Sequence, residues 1–235
     1  MEILNNVIDY VRSKNVTYAL MITGEWGSGK TYFWKNKVTN KIKDLTIEGS
    51  VKESDIYTVL YITLNGIEKI EQLERNIYYE YFLQQYLSKD NKDGKKINHP
   101  LELTKMLFSI GNKVIDKYSG VDFLEQMSKL PHFQNLNNVV ICFDDLERSK
   151  IKSYDIFAYL NKFVEHDNVK IIFLTNEEKF YKNENENDEE EISYKDYKEK
   201  IIGRTLQFRP NVQNIVQSNI EIFDGEYKQF LKIKK

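Results

Sequence analysis

The chain has 235 residues, with 34 Lys and Arg against 36 Asp and Glu, and its formal net charge of −2 gives no general attraction to nucleic acid or to an anionic membrane. The single cysteine, Cys142, excludes an intrachain disulfide and points to a reducing compartment. The length suits one generous α/β domain, or a domain with an appendage. The opening MEILNNVIDYVRS has no signal-peptide core, and no window approaches the roughly 18 uncharged apolar residues of a membrane helix, so the expected location is the cytoplasm.

Residues 2 to 13 place Ile3, Leu4, Val7, Ile8 and Val11 on one helical face. Such a helix could wall a base and ribose; packing on the edge of a sheet explains the same pattern. Tyr18 to Thr23 is an apolar run of strand formers. It leads into Gly24-Glu25-Trp26-Gly27-Ser28-Gly29-Lys30-Thr31 and then into helical spacing through Val38 and Ile42. Gly24, Gly29, Lys30 and Thr31 fill G-x-x-x-x-G-K-[ST], the phosphate-binding loop, in its required context of strand before and helix after. Glycines let the backbone wrap a phosphate, successive N–H groups form an anion nest, and the positive end of the next helix reinforces it. Lys30 would reach the β- and γ-phosphates and the Thr31 hydroxyl would ligate Mg²⁺. The whole run from Gly24 to Thr31, with Tyr32 beside it, is the expected nucleotide site. Trp26 either packs over the loop or faces a ligand or partner.

A polar loop follows, then a second strand, Ile56 to Leu64, ending at Asn65-Gly66. Residues 67 to 87 carry Ile67, Ile70, Leu73, Ile77, Tyr81 and Phe82 at helical spacing, and Ser88 to Pro100 reads as a charged loop. Further helices are expected from Leu103 to Tyr118 and from Asp122 to Leu130, so that about 67–130 forms a helical insertion. Asn138 to Asp145 is the third strand, Ile151 to Glu165 a helix and Val169 to Thr175 the fourth strand. Asn183 to Glu191, NENENDEEE, reads as a mobile acidic surface loop that could grip a basic partner. Residues 194 to 202 are helical, Thr205 to Phe208 is a short fifth strand, and Pro210 opens a last helix, the start of a C-terminal unit at 210–235.

Strands alternating with helices imply a mainly parallel five-stranded sheet covered on both faces. This is the three-layer α/β sandwich of phosphate-loop NTPases, in its additional-strand form, over residues 1–209. Ligands bind such sheets at the carboxyl ends of the strands, and Asn65, Asp144, Asp145 and Asn176 all fall there beside the phosphate loop. The third strand, NVVICFDD, is apolar until it runs into two carboxylates. Acids at the end of a buried strand cost free energy unless something uses them. Mg²⁺, a hard cation held by carboxylates, water and phosphate oxygens, is the natural user. Asp144 would hold the metal, and Asp145 would orient or deprotonate the attacking water, with Glu147 competing for that role. A turn or helix cap could explain the pair taken alone, but beside the phosphate loop the catalytic reading is favoured. Asn176 could sense the γ-phosphate, or be a strand-end turn residue. Arg148 and Arg204 could each stabilise charge on the transferred phosphoryl group, from this chain or a neighbour, or could form structural ion pairs.

GEWGSGKTYF, VVICFDDLERS, IIFLTNEEKF and YKEKIIGRTLQF together resemble the KAP family of P-loop ATPases, which stand near the STAND and AAA+ groups. The resemblance covers nearly the whole chain. It implies Lys30 and Thr31 on phosphate and Mg²⁺, Asp144 on Mg²⁺, Asp145 near the attacking water and Asn176 as sensor. It also implies a phosphate-loop strand beside the Asn176 strand, with the Asp144 strand beyond. Many members carry membrane helices between the phosphate loop and the double Asp; here Thr31 to Asp144 has no such segment. The resemblance implies a Mg²⁺-dependent ATPase acting as a switch on a protein partner or homo-oligomer, in bacteria often in defence against phage. The alternative is a module that holds nucleotide without turnover, which has no need of Asp145. A small-molecule kinase fits less well, because the acidic 183–191 run has the wrong sign for a phosphate lid. No basic stripe with interleaved aromatics suggests a nucleic-acid motor.

Overall fold

The computed structural model describes residues 2–14, 16–45, 57–93, 138–165, 169–181 and 188–209. Along them run α1 (Glu2–Arg12), β1 (Ala19–Thr23), α2 (residues 30–43), β2 (Thr58–Thr63), α3 (Ile70–Asp93), β3 (Val139–Asp144), α4 (Ser153–Glu165), β4 (Lys170–Thr175), the single turn α5 (Glu178–Tyr181), α6 (Asp188–Ile201) and β5 (Ile202–Gln207). Within α2 the hydrogen bonding widens to a π turn at Trp34–Val38 before closing again. All five strands pair in parallel, in the order β2-β3-β4-β1-β5. The phosphate-loop strand thus lies beside the Asn176 strand, with the Asp144 strand beyond.

Alternation along the strands sorts the core into two layers. Ala19 and Met21 of β1, Ile141 and Phe143 of β3, and Ile171 and Phe173 of β4 face α3, α4 and α6. Leu20, Ile22, Val140, Cys142, Ile172 and Leu174 face α1 and α2. Trp34, Val38 and Ile42 of α2 are fully buried in that second layer. Each such side chain contributes about 1.5–3 kcal/mol by leaving water, which fixes the helix after the phosphate loop against the sheet.

The N-terminal helix covers a face of the sheet rather than its edge. Val7 and Val11 are buried among Leu20, Ile22 and Ile172, and the Tyr10 hydroxyl reaches across to the sheet backbone. That hydroxyl lies within donating distance of Tyr18 O (2.9 Å) and Ile171 O (3.0 Å) and accepts the Ile171 N–H.

Several boundaries differ from expectation. Ser88 to Asp93, read as part of a charged loop, continue α3, and the last acidic residues of the 183–191 run, from Asp188, already belong to α6. Local composition favours a loop in both places, but α6 is anchored by its tertiary partners. Tyr194 is buried and stacks on Phe180, with ring centroids 4.4 Å apart, and the Lys198 ammonium pairs with the Glu177 carboxylate. The fifth strand also begins at Ile202, directly from α6, three residues before the expected start. The helices expected within 101–130 and after Pro210 lie outside the described residues.

Lys170 opens β4 and is only 4% exposed. Burial pushes its pKa down to about 8, below the ordinary 10.5. Between those values the unfolded chain binds more protons than the folded one, so folding stability rises with pH across that window. Lys170→Met should therefore stabilise the fold at pH 7 by roughly 1–3 kcal/mol, a gain that shrinks towards pH 10.5. Urea unfolding at several pH values measures it; a destabilised variant at pH 7 would show that the lysine's contacts outweigh its desolvation.

Candidate functional site

At the carboxyl end of β1 Gly24 has room for no side chain. A Cβ there would lie 2.7 Å from the Phe208 carbonyl oxygen. The Gly24 N–H donates to Thr175 O (3.1 Å) and the Phe208 N–H to Thr23 O (2.7 Å), so the loop leaves β1 clamped between its two sheet neighbours. Gly27 (φ 74°) and Gly29 (φ 94°) then take left-handed conformations that non-glycine residues avoid, and α2 begins at Lys30. Alternating hand in this way turns backbone N–H groups towards one point, the geometry of an anion nest.

Lys30 is buried along the loop. Its ammonium donates to Gly24 O (2.6 Å) and Glu25 O (2.9 Å) and approaches Ser28 Oγ (3.5 Å). Desolvation lowers its pKa, while Glu147, Asp144 and Asp145 pull it back up. Beside it, Thr31 Oγ1 donates to Asp144 Oδ2 at 2.7 Å, joining the loop to the end of β3. Asp144 is 3% exposed and accepts from two further donors, the Tyr61 hydroxyl on Oδ2 (2.7 Å) and the Asp145 N–H on Oδ1 (2.9 Å). No local pattern in the sequence marks Tyr61; its one signal is its place on the strand expected to reach the site.

Asp145 turns the chain sharply, at φ 59° and ψ 42°. Aspartate is one of the few side chains that tolerates this region, and a strained backbone there aims the residue rather than continuing the strand. Burial first, and the neighbouring Asp144 second, raise its pKa; Arg148 works in the opposite direction, with Nε 3.8 Å from Asp145 Oδ1. Glu147 is tied to two neighbours. One carboxylate oxygen accepts the Trp26 indole N–H (2.6 Å) and the other accepts the Thr175 hydroxyl (2.8 Å).

These residues converge on a cleft of about 320 Å³. Trp26, Gly27, Gly29, Lys30, Thr31 and Tyr32 line it from the loop, and Asp144, Asp145, Glu147 and Arg148 from the β3 turn. Asn176, buried at the end of β4, Asn65 at a turn after β2, and Arg204 do not line it. Arg204 projects from the exposed edge strand β5 opposite Leu20, well back from the carboxyl ends. Glu25 and Ser28 contribute to the loop through their contacts with Lys30 rather than to the cleft wall.

Both expected ligands suit this donor set. A nest of N–H groups, a helix start and a lysine ammonium match a polyphosphate. An alcohol and a carboxylate already 2.7 Å apart are the hard oxygen ligands Mg²⁺ prefers.

The family model of the KAP family P-loop domain matches residues 1–222 of the sequence. The chain belongs to the KAP family of P-loop domains. A search of curated proteins finds no match. Among solved structures, this KAP-family domain is similar to Caenorhabditis elegans PCH-2, at 15% identity and a TM-score of 0.42, over 96% of this chain and 49% of that one. It is also similar to a chain of Drosophila ORC bound to DNA, at 13% identity and 0.42, over 99% and 52%. The chain spans about half the length of each. Among the described residues, no helix of this KAP-family domain is long and apolar enough to cross a membrane.

Trp26 is 49% exposed, and its ring lies 4.9 Å from the Arg148 guanidinium and 4.3 Å from the Lys179 ammonium. The loop tryptophan thereby gathers the β3 turn and α5 around itself. Trp26→Phe removes the indole N–H but keeps a ring. It should cost roughly 0.5–1 kcal/mol of stability, an exposed charge-assisted hydrogen bond, and leave nucleotide affinity within about threefold. Unfolding curves and nucleotide titration measure both; a tenfold or larger loss of affinity would make the indole a nucleotide contact.

Proposed function

We propose that this domain binds and hydrolyses ATP with Mg²⁺, and that its nucleotide state acts as a switch. The Thr31–Asp144 hydrogen bond carries the reading, since it brings a phosphate-loop hydroxyl and a strand-end carboxylate to one point from distant parts of the chain. In this reading the nest and Lys30 bind the β- and γ-phosphates, and Lys30 exchanges its hydrogen bonds to Gly24 O and Glu25 O for phosphate oxygens. Thr31 and Asp144 hold Mg²⁺, which when bound neutralises phosphate charge. Asp145 orients the attacking water and accepts its proton. Its raised pKa makes it a stronger base than an ordinary aspartate, while the two hydrogen bonds on Glu147 argue against that residue in the same role. Arg148, on the cleft wall, stabilises charge on the transferred group. Asn176 senses the γ-phosphate through the end of β4, whose Thr175 contacts Glu147.

The switch acts on a protein partner or on further copies of the chain. Arg204 lies outside its own cleft and would serve hydrolysis only in a neighbour's. The single cysteine supports a cytoplasmic setting, and the family resemblance supports, in bacteria, a role in defence against phage. Phosphate release from ATP and from GTP, with and without Mg²⁺ and over a protein concentration series, tests the reading. Metal-dependent release from ATP supports it, and a steep concentration dependence supports a shared site. Nucleotide binding without release would favour a nucleotide-held scaffold.

A further inference from the structure

We propose that Tyr61 is a positioning residue for the metal ligand Asp144. The inference rests on the reading above, in which Asp144 and Thr31 hold a divalent cation. Tyr61 pairs with Cys142 across the β2–β3 ladder, and Asp144 lies two residues further along the same face. A diagonal neighbour at that spacing is within reach of a tyrosine ring, and the hydroxyl meets Asp144 Oδ2 at 2.7 Å.

The three donors on Asp144 are not equivalent. Thr31 Oγ1 is itself a proposed metal ligand, and the Asp145 N–H sits on the turn that must aim the catalytic base. Tyr61 has neither duty and does not line the cleft. It can hold the carboxylate plane while the other two groups engage ligand. Its ring is in turn covered by the Lys35 ammonium, 4.1 Å from the centroid, from the π turn of α2. The contact chain Lys35–Tyr61–Asp144–Thr31 therefore ties the helix after the phosphate loop to the metal ligand by two routes.

Outer partners of this kind typically change metal affinity by about 10- to 100-fold when removed. Tyr61→Phe deletes the hydroxyl and keeps the ring under Lys35. Asp144 retains two donors, so the variant should fold. The experiment titrates Mn²⁺ into the chain carrying a fluorescent ATP analogue, following the fluorescence and the electron paramagnetic resonance of the bound ion. Affinity for the same analogue in EDTA is the control. The Mn²⁺ midpoint should rise about tenfold in Tyr61→Phe, with the EDTA affinity within twofold. In an Asp144→Asn background the same change should add almost nothing, because the two residues act as one unit. A Tyr61→Phe midpoint equal to wild type, or full additivity with Asp144→Asn, would overturn the proposal. A wild-type chain whose analogue binding ignores Mn²⁺ would overturn the metal-site reading itself, and the proposal with it.

Discussion

Asp145→Asn should leave ATP affinity within about twofold of wild type and slow phosphate release by roughly 10²- to 10⁴-fold, the usual contribution of a positioned general base. The substitution is well matched to the site. Asparagine tolerates the left-handed conformation that Asp145 adopts at φ 59°, so the turn after β3 keeps its course. It also removes a carboxylate whose charged form is disfavoured by burial and by Asp144, so the variant should be no less stable than the parent. Loss of turnover could then not be blamed on unfolding. Single-turnover phosphate release and an equilibrium binding curve on the same preparation provide the check. Unchanged turnover would remove Asp145 from the proton-accepting role and move it to Glu147 or elsewhere.

Lys30→Ala has the opposite signature. Hydrogen bonds to charged groups are worth about 1.5–3 kcal/mol each, so losing two phosphate contacts should weaken ATP binding by roughly 10²- to 10⁴-fold. The folded protein has less to lose. Lys30 is buried at a desolvation cost that lowers its pKa and offsets what its hydrogen bonds to Gly24 O and Glu25 O contribute. Thermal unfolding without nucleotide should therefore move little, while the stabilisation that ATP confers on the wild type should vanish. Retained ATP stabilisation would show that the N–H nest alone supplies most of the affinity.

What could be read from the sequence was what lies close together in it. The phosphate loop is a contiguous spacing rule, and the apolar run into Asp144 and Asp145 announces a buried strand with a working end. Tyr61, by contrast, matters only through the β2–β3 register, and the link from Trp26 to Glu147 joins two turns that no local pattern relates. The acidic run shows the other limit. Composition spoke for a loop, yet from Asp188 the chain is helical because Tyr194 and Lys198 find partners on Phe180 and Glu177. Arg204 stands just before Thr205, the expected start of the fifth strand. Since that strand begins at Ile202, the arginine falls in its middle, away from the cleft.

The strand order has a kinetic consequence. β1 carries the phosphate loop, yet both its neighbours come late: Leu20 pairs with Ile172 in β4, and Ala19 with Ile202 in β5. During synthesis the apolar segment Ala19–Thr23 leaves the ribosome long before either of the strands that flank it in the sheet. Non-local parallel pairing closes slowly, and an unpaired apolar strand is exposed to aggregation in the meantime. The nucleotide pocket is therefore among the last features to mature, because Gly24 is seated only when Thr175 and Phe208 have both arrived.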